Sequence, residues 1–335
     1  MSSLTITIAL LLGSAVVIYL ACEYFVNGVE WVGEKMDVGQ KATGTILAAF
    51  GTALPESVVT LVAVAFGTGA AAKELGVGAA LGGPLALSTI AYATVGVVLL
   101  LTGRRLAASS DMAHTFRHLS KDQGWFLAIF AAKITLGLLA FAWKPWLGVL
   151  FLAAYALYVR QELGGEGDDA EEGIEPLKFQ PGRAVPATAM AVFQVLVALV
   201  VIFVASQIFV RQLEALGPAL GLRPQLLALL FSPIATELPE TMNAIIWVRQ
   251  GKYKLALANI SGAMMIQATI PTALCLFFTP WLLTPPLLVA AGATMAAILI
   301  MFLVFRRGMA SRGLLAGMGL LYLVFAGVIA ALHLG

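Results

Sequence analysis

Two copies of a Leu-Pro-Glu motif are the most chemically informative feature of this sequence. At one constant offset, TALPES (52–57) aligns with TELPET (236–241), so Glu56 and Glu240 each follow a proline. Both motifs lie inside long apolar runs, where an ionised carboxylate costs at least a few kcal/mol unless it has a partner or a function. Two facing carboxylates repel each other unless a cation or a proton lies between them. The motif pair therefore predicts a site for one or the other.

The residues around the carboxylates add further oxygen donors. Pro55 and Pro239 have no N–H for the carbonyl four residues earlier, so each proline is expected to break its helix and free a carbonyl oxygen. Thr52 and Thr236 place a hydroxyl in the same turns. Carboxylates, hydroxyls and carbonyls are the ligands of hard cations such as Ca²⁺. The histidines lie in predicted loops or near a terminus, so no histidine-built zinc site is expected: His114, His118 and His333.

The elements that must position these groups are transmembrane helices. The chain has 335 residues, is 60% hydrophobic and 11% charged, and has a mean hydropathy of +0.94. Soluble domains carry about 25% charged residues. Since lipid offers no partner for open backbone groups, we predict an all-α polytopic membrane protein with about ten helices. The predicted spans are 4–32, 40–66, 75–102, 125–142, 145–161, 184–214, 222–248, 254–279, 284–305 and 312–333.

The repeated motif divides these spans into two five-helix halves. Residues 1–162 are predicted to form the first repeat, with its core at about 40–102. Residues 184–335 are predicted to form the second, with its core at about 222–279. Because five is odd, the second half is inverted, which is a pattern of secondary transporters with a midplane site. The same alignment pairs Glu30 with Glu214. Residues 163–183 are predicted to be an acidic cytoplasmic linker.

Loop charge predicts the orientation. Alternate loops, starting after the first span, hold fifteen of the twenty Lys and Arg residues, and the opposite loops hold four. The positive-inside rule then places both termini outside the cytoplasm of a cell membrane, and we expect a prokaryotic one. The last, Lys133, falls within the fourth span, where its long stem can snorkel or reach a carboxylate. The net charge of +2 gives no indication of nucleic-acid binding.

Four segments resemble the paired alpha-repeats of the cation/calcium exchanger superfamily, of the sodium/calcium exchanger type. They are GTALPES (51–57), ATELPET (235–241), GVGAALGGP (76–84) and LANISGAMM (257–265). The resemblance implies that Ca²⁺ and Na⁺ are held by Glu56, Glu240, Thr52, Thr236 and the carbonyls of about Ala49 and Pro233. It also implies that the first and sixth spans slide past the rest of the protein. Neither cofactor nor obligatory protein partner is implied beyond inorganic cations and lipid.

The sequence departs from that family pattern in three places. Glu237 stands where the family usually has Ser, and Asn or Asp positions fall on Leu87 and Gln267. The Gly-Ser pairs have become Gly82-Gly83 and Gly262-Ala263. The pocket thus loses oxygen ligands on one side and gains a carboxylate on the other. Because Glu237 lies three residues before Glu240, we expect the two on one helix face. The alternative is that the break at Pro239 turns Glu237 away.

Other polar residues are candidates for the ion path or for support of the site. They are Gln267, Asn243, Glu23 and Ser88. The leading hypothesis is an antiporter that exchanges Ca²⁺, or a similar divalent cation, against Na⁺ or H⁺. The alternatives are a cation channel and an antiporter of the same fold that is specific for another cation. The spans contain neither H-E-x-x-H nor a serine with a base, so no enzyme is expected.

Overall fold

The structure is a computed structural model that describes residues 3–37, 42–66, 70–104, 106, 110–164, 174–216, 233 and 236–331. The described residues form helices and connecting segments, and no strand occurs among them. We number the α-helices in chain order: α1 Ser3–Lys35, α2 Ala49–Leu61, α3 Ala70–Ala86, α4 Tyr92–Leu101, α5 Ser110–Leu138, α6 Gly148–Leu163, α7 Thr188–Leu216, α8 Leu238–Gln250, α9 Tyr253–Phe278, α10 Pro285–Arg306, α11 Arg312–Gly317 and α12 Gly319–Ala331. The shorter segments are the π-helical Thr43–Ala48, Val62–Phe66 and Leu87–Ala91 and the 3₁₀ turn Lys144–Leu147.

The apolar helices confirm an all-helical protein that crosses the membrane several times. Within the described ranges, six stretches are long and apolar enough to cross a bilayer: Leu4–Lys35, Gly76–Leu101, Thr188–Phe209, Tyr253–Phe278, Pro285–Arg306 and Arg312–Ala331. Each coincides with a predicted span. The count of ten is not established, because part of the predicted span 222–248 lies outside the described residues and the other three predicted spans do not meet the same criterion.

The fourth span differs from its prediction at both ends. The helix α5 begins at Ser110 and ends at Leu138, whereas the apolar run predicted 125–142. The charged first half of α5 also has an apolar face, on which Met112, Phe116 and Leu119 recur at helical spacing and are buried. Phe116 stacks on Phe305 of α10, with ring centroids 5.6 Å apart. A hydropathy window averages over such a stripe and places the start too late.

Helix α9 forms the centre of the molecule. It packs against α2, α3, α5, α6 and α8, and nearly all of its side chains are buried. Small residues permit this crowding: a Cβ on Gly262 would overlap the backbone of Thr45. A helix that is surrounded on all sides can carry polar side chains away from lipid, and α9 carries Asn259, Ser261 and Gln267.

Helices α1 and α7 pack along each other at one side of this core. Their outer faces expose large apolar side chains, such as Leu12 and Val200, as a lipid-facing surface does. The predicted linker is only partly described. Its residues 174–183 contact α1, because Asn27 and Trp31 of α1 donate hydrogen bonds to the carbonyl of Glu175 at 3.1 and 2.9 Å.

Candidate cation-binding site

The second Leu-Pro-Glu motif begins a helix. Glu237 caps α8, and Pro239 lies in its first turn, where a helix needs no N–H donor. The N–H of Glu237 donates to the carbonyl of Pro233 at 3.1 Å. Glu237 and Glu240 are each only 1% exposed. Glu237 thus lies at a helix boundary two residues before Pro239, and the positive end of the α8 dipole lies beside both carboxylates.

Glu237 is buried and is held by a side chain of α9. Gln267 Nε2 donates to Glu237 Oε1 at 2.6 Å, and both side chains are buried. The pair occupies space that Gly83 of α3 leaves open. A Cβ on Gly83 would overlap the Gln267 amide oxygen and would lie 2.7 Å from Glu237 Oε1. Two departures from the family pattern, Gly83 and Glu237, are thus complementary in volume.

The two halves of the chain approach each other closely at this place. A Cβ on Gly82, in the first half, would lie 2.6 Å from Cγ of Pro233, in the second half. Thr236 is partly buried, and its hydroxyl donates to the carbonyl of Pro233 at 3.2 Å. The predicted ligands Pro233 and Glu237 therefore lie against α3, and Thr236 is hydrogen-bonded to Pro233.

The matching residues of the first half lie on α2. Ala49 is fully buried, and the buried Thr52 donates its hydroxyl to the carbonyl of Ala48 at 3.2 Å. The backbone of Pro55 and Glu56 lies in α2, while their side chains are outside the described residues. The facing of Glu56 and Glu240 consequently stays a prediction.

Helix α1 covers this region. Its Phe25 ring packs against Gly51, the residue before Thr52, so closely that a Cβ on Gly51 would lie 2.9 Å from the ring. The thiol of Cys22 donates to the carbonyl of Pro239 at 3.8 Å. Cys22 and Phe25 are both fully buried. The helix predicted to slide therefore contacts both motif-bearing segments directly.

Two buried amide side chains lie on α8 and α9. Asn243, one turn after Glu240, and Asn259 of α9 are 0% exposed, and none of their side-chain N or O atoms hydrogen-bonds to a described residue. Leaving a buried polar group unsatisfied costs about 1–3 kcal/mol. Such amides suit water or a passing cation. Asn243 was predicted as a supporting residue, whereas Asn259 was missed although it lies in the quoted LANISGAMM segment.

The other predicted path residues lie less favourably. Ser88 is fully buried, but its hydroxyl donates to the carbonyl of Leu85 on its own helix at 3.2 Å. Glu23 is half-buried on α1. Neither is brought to Glu237 by a hydrogen bond or ion pair that the structure records.

Pro271, inside α9, affects a backbone carbonyl that the sequence analysis did not single out. Pro271 has no N–H to donate to the carbonyl of Gln267, the residue that holds Glu237. The rule applied to Pro55 and Pro239 would have found it. Pro271 thus removes the usual helical donor for the carbonyl of Gln267, the residue whose side chain donates to Glu237.

One buried ion pair joins α1 to the second half of the chain. Glu30 accepts a hydrogen bond from Trp247 Nε1 at 2.8 Å and pairs with the ammonium of Lys252. Glu30 is 7% exposed. The repeat alignment had singled out Glu30, but its partners depend on the tertiary packing of α1 on α8.

The chemistry of the described site is that of oxygen ligands. Among the described residues, no group of three or more His, Cys, Asp and Glu side chains converges as a metal cluster would. Glu237 and Glu240 are two of the three predicted carboxylates, and the third, Glu56, lies outside the described side chains. A site of this composition suits a hard cation or a proton rather than a soft metal.

These features define a multi-pass membrane protein of the transporter class, with buried acidic residues where its two halves meet. The chain belongs to the sodium/calcium exchanger protein family, which matches residues 6–161 and 190–332. The predicted resemblance to the cation/calcium exchanger superfamily is therefore confirmed.

Individual proteins are also similar to this chain. An uncharacterized membrane protein of Methanocaldococcus jannaschii is 22% identical over 250 residues, which cover 74% of each chain. Solved structures of the sodium-calcium exchanger NCX_Mj have the same fold. One soaked with Na⁺ and Sr²⁺ matches with a TM-score of 0.73, 17% identity and 98% coverage of both chains. One soaked without Na⁺ and Ca²⁺ matches with a TM-score of 0.72, 18% identity and coverage of 98% and 99%.

Proposed function

We propose that the protein is a secondary-active antiporter that exchanges Ca²⁺, or a similar divalent cation, against Na⁺ or H⁺. The observation that carries the proposal is the burial of Glu237 and Glu240 at the start of α8. Burying carboxylates in a protein of apolar helices is costly unless they serve ion transport. The membership of the chain in the sodium/calcium exchanger family supports the same conclusion.

The residues have separate roles in this proposal. Glu240 and Glu56 bind the divalent cation, assisted by the hydroxyls of Thr52 and Thr236. Carbonyl oxygens near Ala49 and Pro233 complete the shell. Glu237 binds the coupling ion, since one divalent cation neutralises two carboxylates and low dielectric makes a third costly to leave ionised.

Alternating access is proposed to follow from the two inverted repeats, 1–162 and 184–335. The packing of Phe25 over Gly51 supports a role for α1 in covering the site. Together with α7, α1 would slide along the remaining helices and open the site to one side at a time. Both termini are proposed to lie outside the cytoplasm.

The composition of the site bears on the coupling ion. The site has Leu87 and Gln267 at positions where sodium exchangers keep Asn or Asp, so it offers fewer ligands for several Na⁺ ions. Glu237 adds a group that a proton can occupy. We therefore favour H⁺, or fewer Na⁺ than the sodium exchangers carry, as the counter-ion.

Flux measurements test the proposed function. Purified protein is reconstituted into sealed vesicles, and ⁴⁵Ca²⁺ uptake is followed under an imposed Na⁺, K⁺ or pH gradient, or under a membrane potential alone. When the vesicles contain no Ca²⁺, we expect uptake to require an opposing Na⁺ or pH gradient. Uptake driven by a potential alone would identify a channel, and no uptake of Ca²⁺ together with uptake of another cation would identify an antiporter of different specificity.

A further inference from the structure

Lys133 is a fully buried lysine in the interior of the protein. It is on α5, it is 0% exposed, and its ammonium neither snorkels to an interface nor reaches a carboxylate that the structure records. Nζ donates to the carbonyl of Ala80 on α3 at 2.8 Å. It also lies 4.7 Å from the centroid of the Phe130 ring and 5.8 Å from that of Trp281. Aromatic faces at these distances stabilise the charged form of an amine.

The acceptor of this hydrogen bond is a carbonyl that a proline has released. Pro84 lies inside α3 and has no N–H to donate to Ala80, four residues earlier. Lys133 supplies the missing donor from the neighbouring helix. Its backbone is fixed as well, because Trp281 Nε1 donates to the carbonyl of Lys133 at 2.9 Å. The ammonium therefore has a defined position.

That position is one helical turn from the acidic site. Ala80 and Gly83 are three residues apart on α3, about 4.5 Å along its axis. Gly83 is the residue against which Glu237 and Gln267 pack. A positive charge held one helical turn from the residue that Glu237 packs against can act on this carboxylate through the low-dielectric interior.

We propose that Lys133 is a built-in positive charge that offsets the charge of Glu237 across α3 and so sets the divalent-cation affinity of the site. This proposal rests on the proposed function, because it takes the bound ion to be a divalent cation. Lys133 is on α5, outside both Leu-Pro-Glu motifs, and would act on the site through Glu237. With Lys133 present, an ionised Glu237 is tolerated when no cation is bound. The same charge weakens the binding of a divalent cation nearby.

A second buried lysine provides a matched control. Lys144 is 4% exposed, and its ammonium also donates to backbone carbonyls, those of Leu136, Leu139 and Trp281. These acceptors lie at the ends of helices and not on α3. Replacing Lys144 by Met thus removes a buried ammonium without removing the one that is hydrogen-bonded to Ala80 of α3.

The experiment is a double-mutant cycle on the purified full-length protein in detergent. The midpoint of thermal unfolding without Ca²⁺ is measured for wild type, Lys133→Met, Glu237→Gln and the double variant, and for the same cycle with Lys144→Met. We expect the two changes in the Lys133 cycle to compensate each other, because the double variant loses both opposite charges. The Lys144 cycle is expected to be additive. If Lys133→Met does not fold, Lys133→Gln replaces it, since an amide also donates to Ala80.

Equilibrium binding of ⁴⁵Ca²⁺ gives the second readout. The direction of the change in Ca²⁺ affinity distinguishes the loss of a charge from a distortion of the site. Loss of a nearby positive charge should tighten binding about tenfold in Lys133→Met, whereas a variant that only distorts the site should bind more weakly. Lys133→Arg should bind as wild type does. Additive unfolding losses in the Lys133 cycle, or unchanged or weaker binding by Lys133→Met, would overturn the proposal. If wild type binds no Ca²⁺, the proposed function fails, and the unfolding cycle still decides the role of Lys133.

Discussion

Gly83 of α3 and Glu237 of the segment before α8 fit together across the two halves of the chain. The carboxylate Oε1 of Glu237 lies where it would be 2.7 Å from a Cβ on Gly83. Gln267 holds the same oxygen by a hydrogen bond of 2.6 Å. The missing side chain at position 83 is thus what allows a carboxylate to lie at position 237.

Gly83→Ala tests this complementarity. The added methyl group must displace the Gln267 amide and the Glu237 carboxylate, and overpacking of this kind costs about 1–3 kcal/mol. We expect weaker divalent-cation binding and a lower unfolding temperature, measured by ⁴⁵Ca²⁺ binding and by thermal unfolding. Gly78→Ala on the same helix is the control, because its Cβ would meet nothing within 4 Å. Equal effects of the two variants would contradict the close fit at Gly83.

Glu237→Gln tests the role of this carboxylate in coupling. The amide keeps the shape of the side chain but carries no ionisable proton. We expect the pH dependence of Ca²⁺ transport to flatten while Ca²⁺ binding by Glu240 and Glu56 is largely retained. Glu240→Gln serves as the contrast, since it should abolish binding itself. A Glu237→Gln variant with the wild-type pH profile, together with wild-type flux that follows a Na⁺ gradient alone, would exclude proton coupling.

Much of this arrangement followed from local sequence rules, and the rest depended on packing. Proline chemistry and hydropathy predicted helices with special oxygen donors near Glu240. They did not predict that Glu237 would pack against Gly83 of α3 and accept a hydrogen bond from Gln267, because these contacts join residues that are far apart in the chain. The partner of Lys133 was equally inaccessible, since it depends on which helix lies beside α5. The charged half of α5 was missed because its apolar stripe is narrow.

Glu30→Gln tests the contact between α1 and the second half of the chain. Breaking one partner of a buried ion pair costs about 3–5 kcal/mol, and here the pair with Lys252 holds α1 against the end of α8. If α1 slides during transport, the variant should expose the region beneath α1 more often. We expect faster labelling of the buried thiol of Cys22 by a maleimide reagent.

The second cysteine provides an internal reference for that measurement. Cys275 is buried on α9, in the centre of the molecule, where no sliding is proposed. Cys22→Ser and Cys275→Ser variants isolate each signal. Unchanged labelling of Cys22, or equal acceleration at both cysteines, would contradict a specific movement of α1.

The most direct test of the account is exchange of ⁴⁵Ca²⁺ for unlabelled Ca²⁺ in vesicles that contain purified wild type or Glu240→Gln. With no gradient of any other ion, an antiporter must still bring labelled Ca²⁺ in as unlabelled Ca²⁺ leaves. We predict rapid exchange by wild type and none by a folded Glu240→Gln variant, because that change removes charge from the divalent-cation site. If the variant exchanged Ca²⁺ at the wild-type rate, the assignment of Glu240 as a ligand of the transported ion would be contradicted.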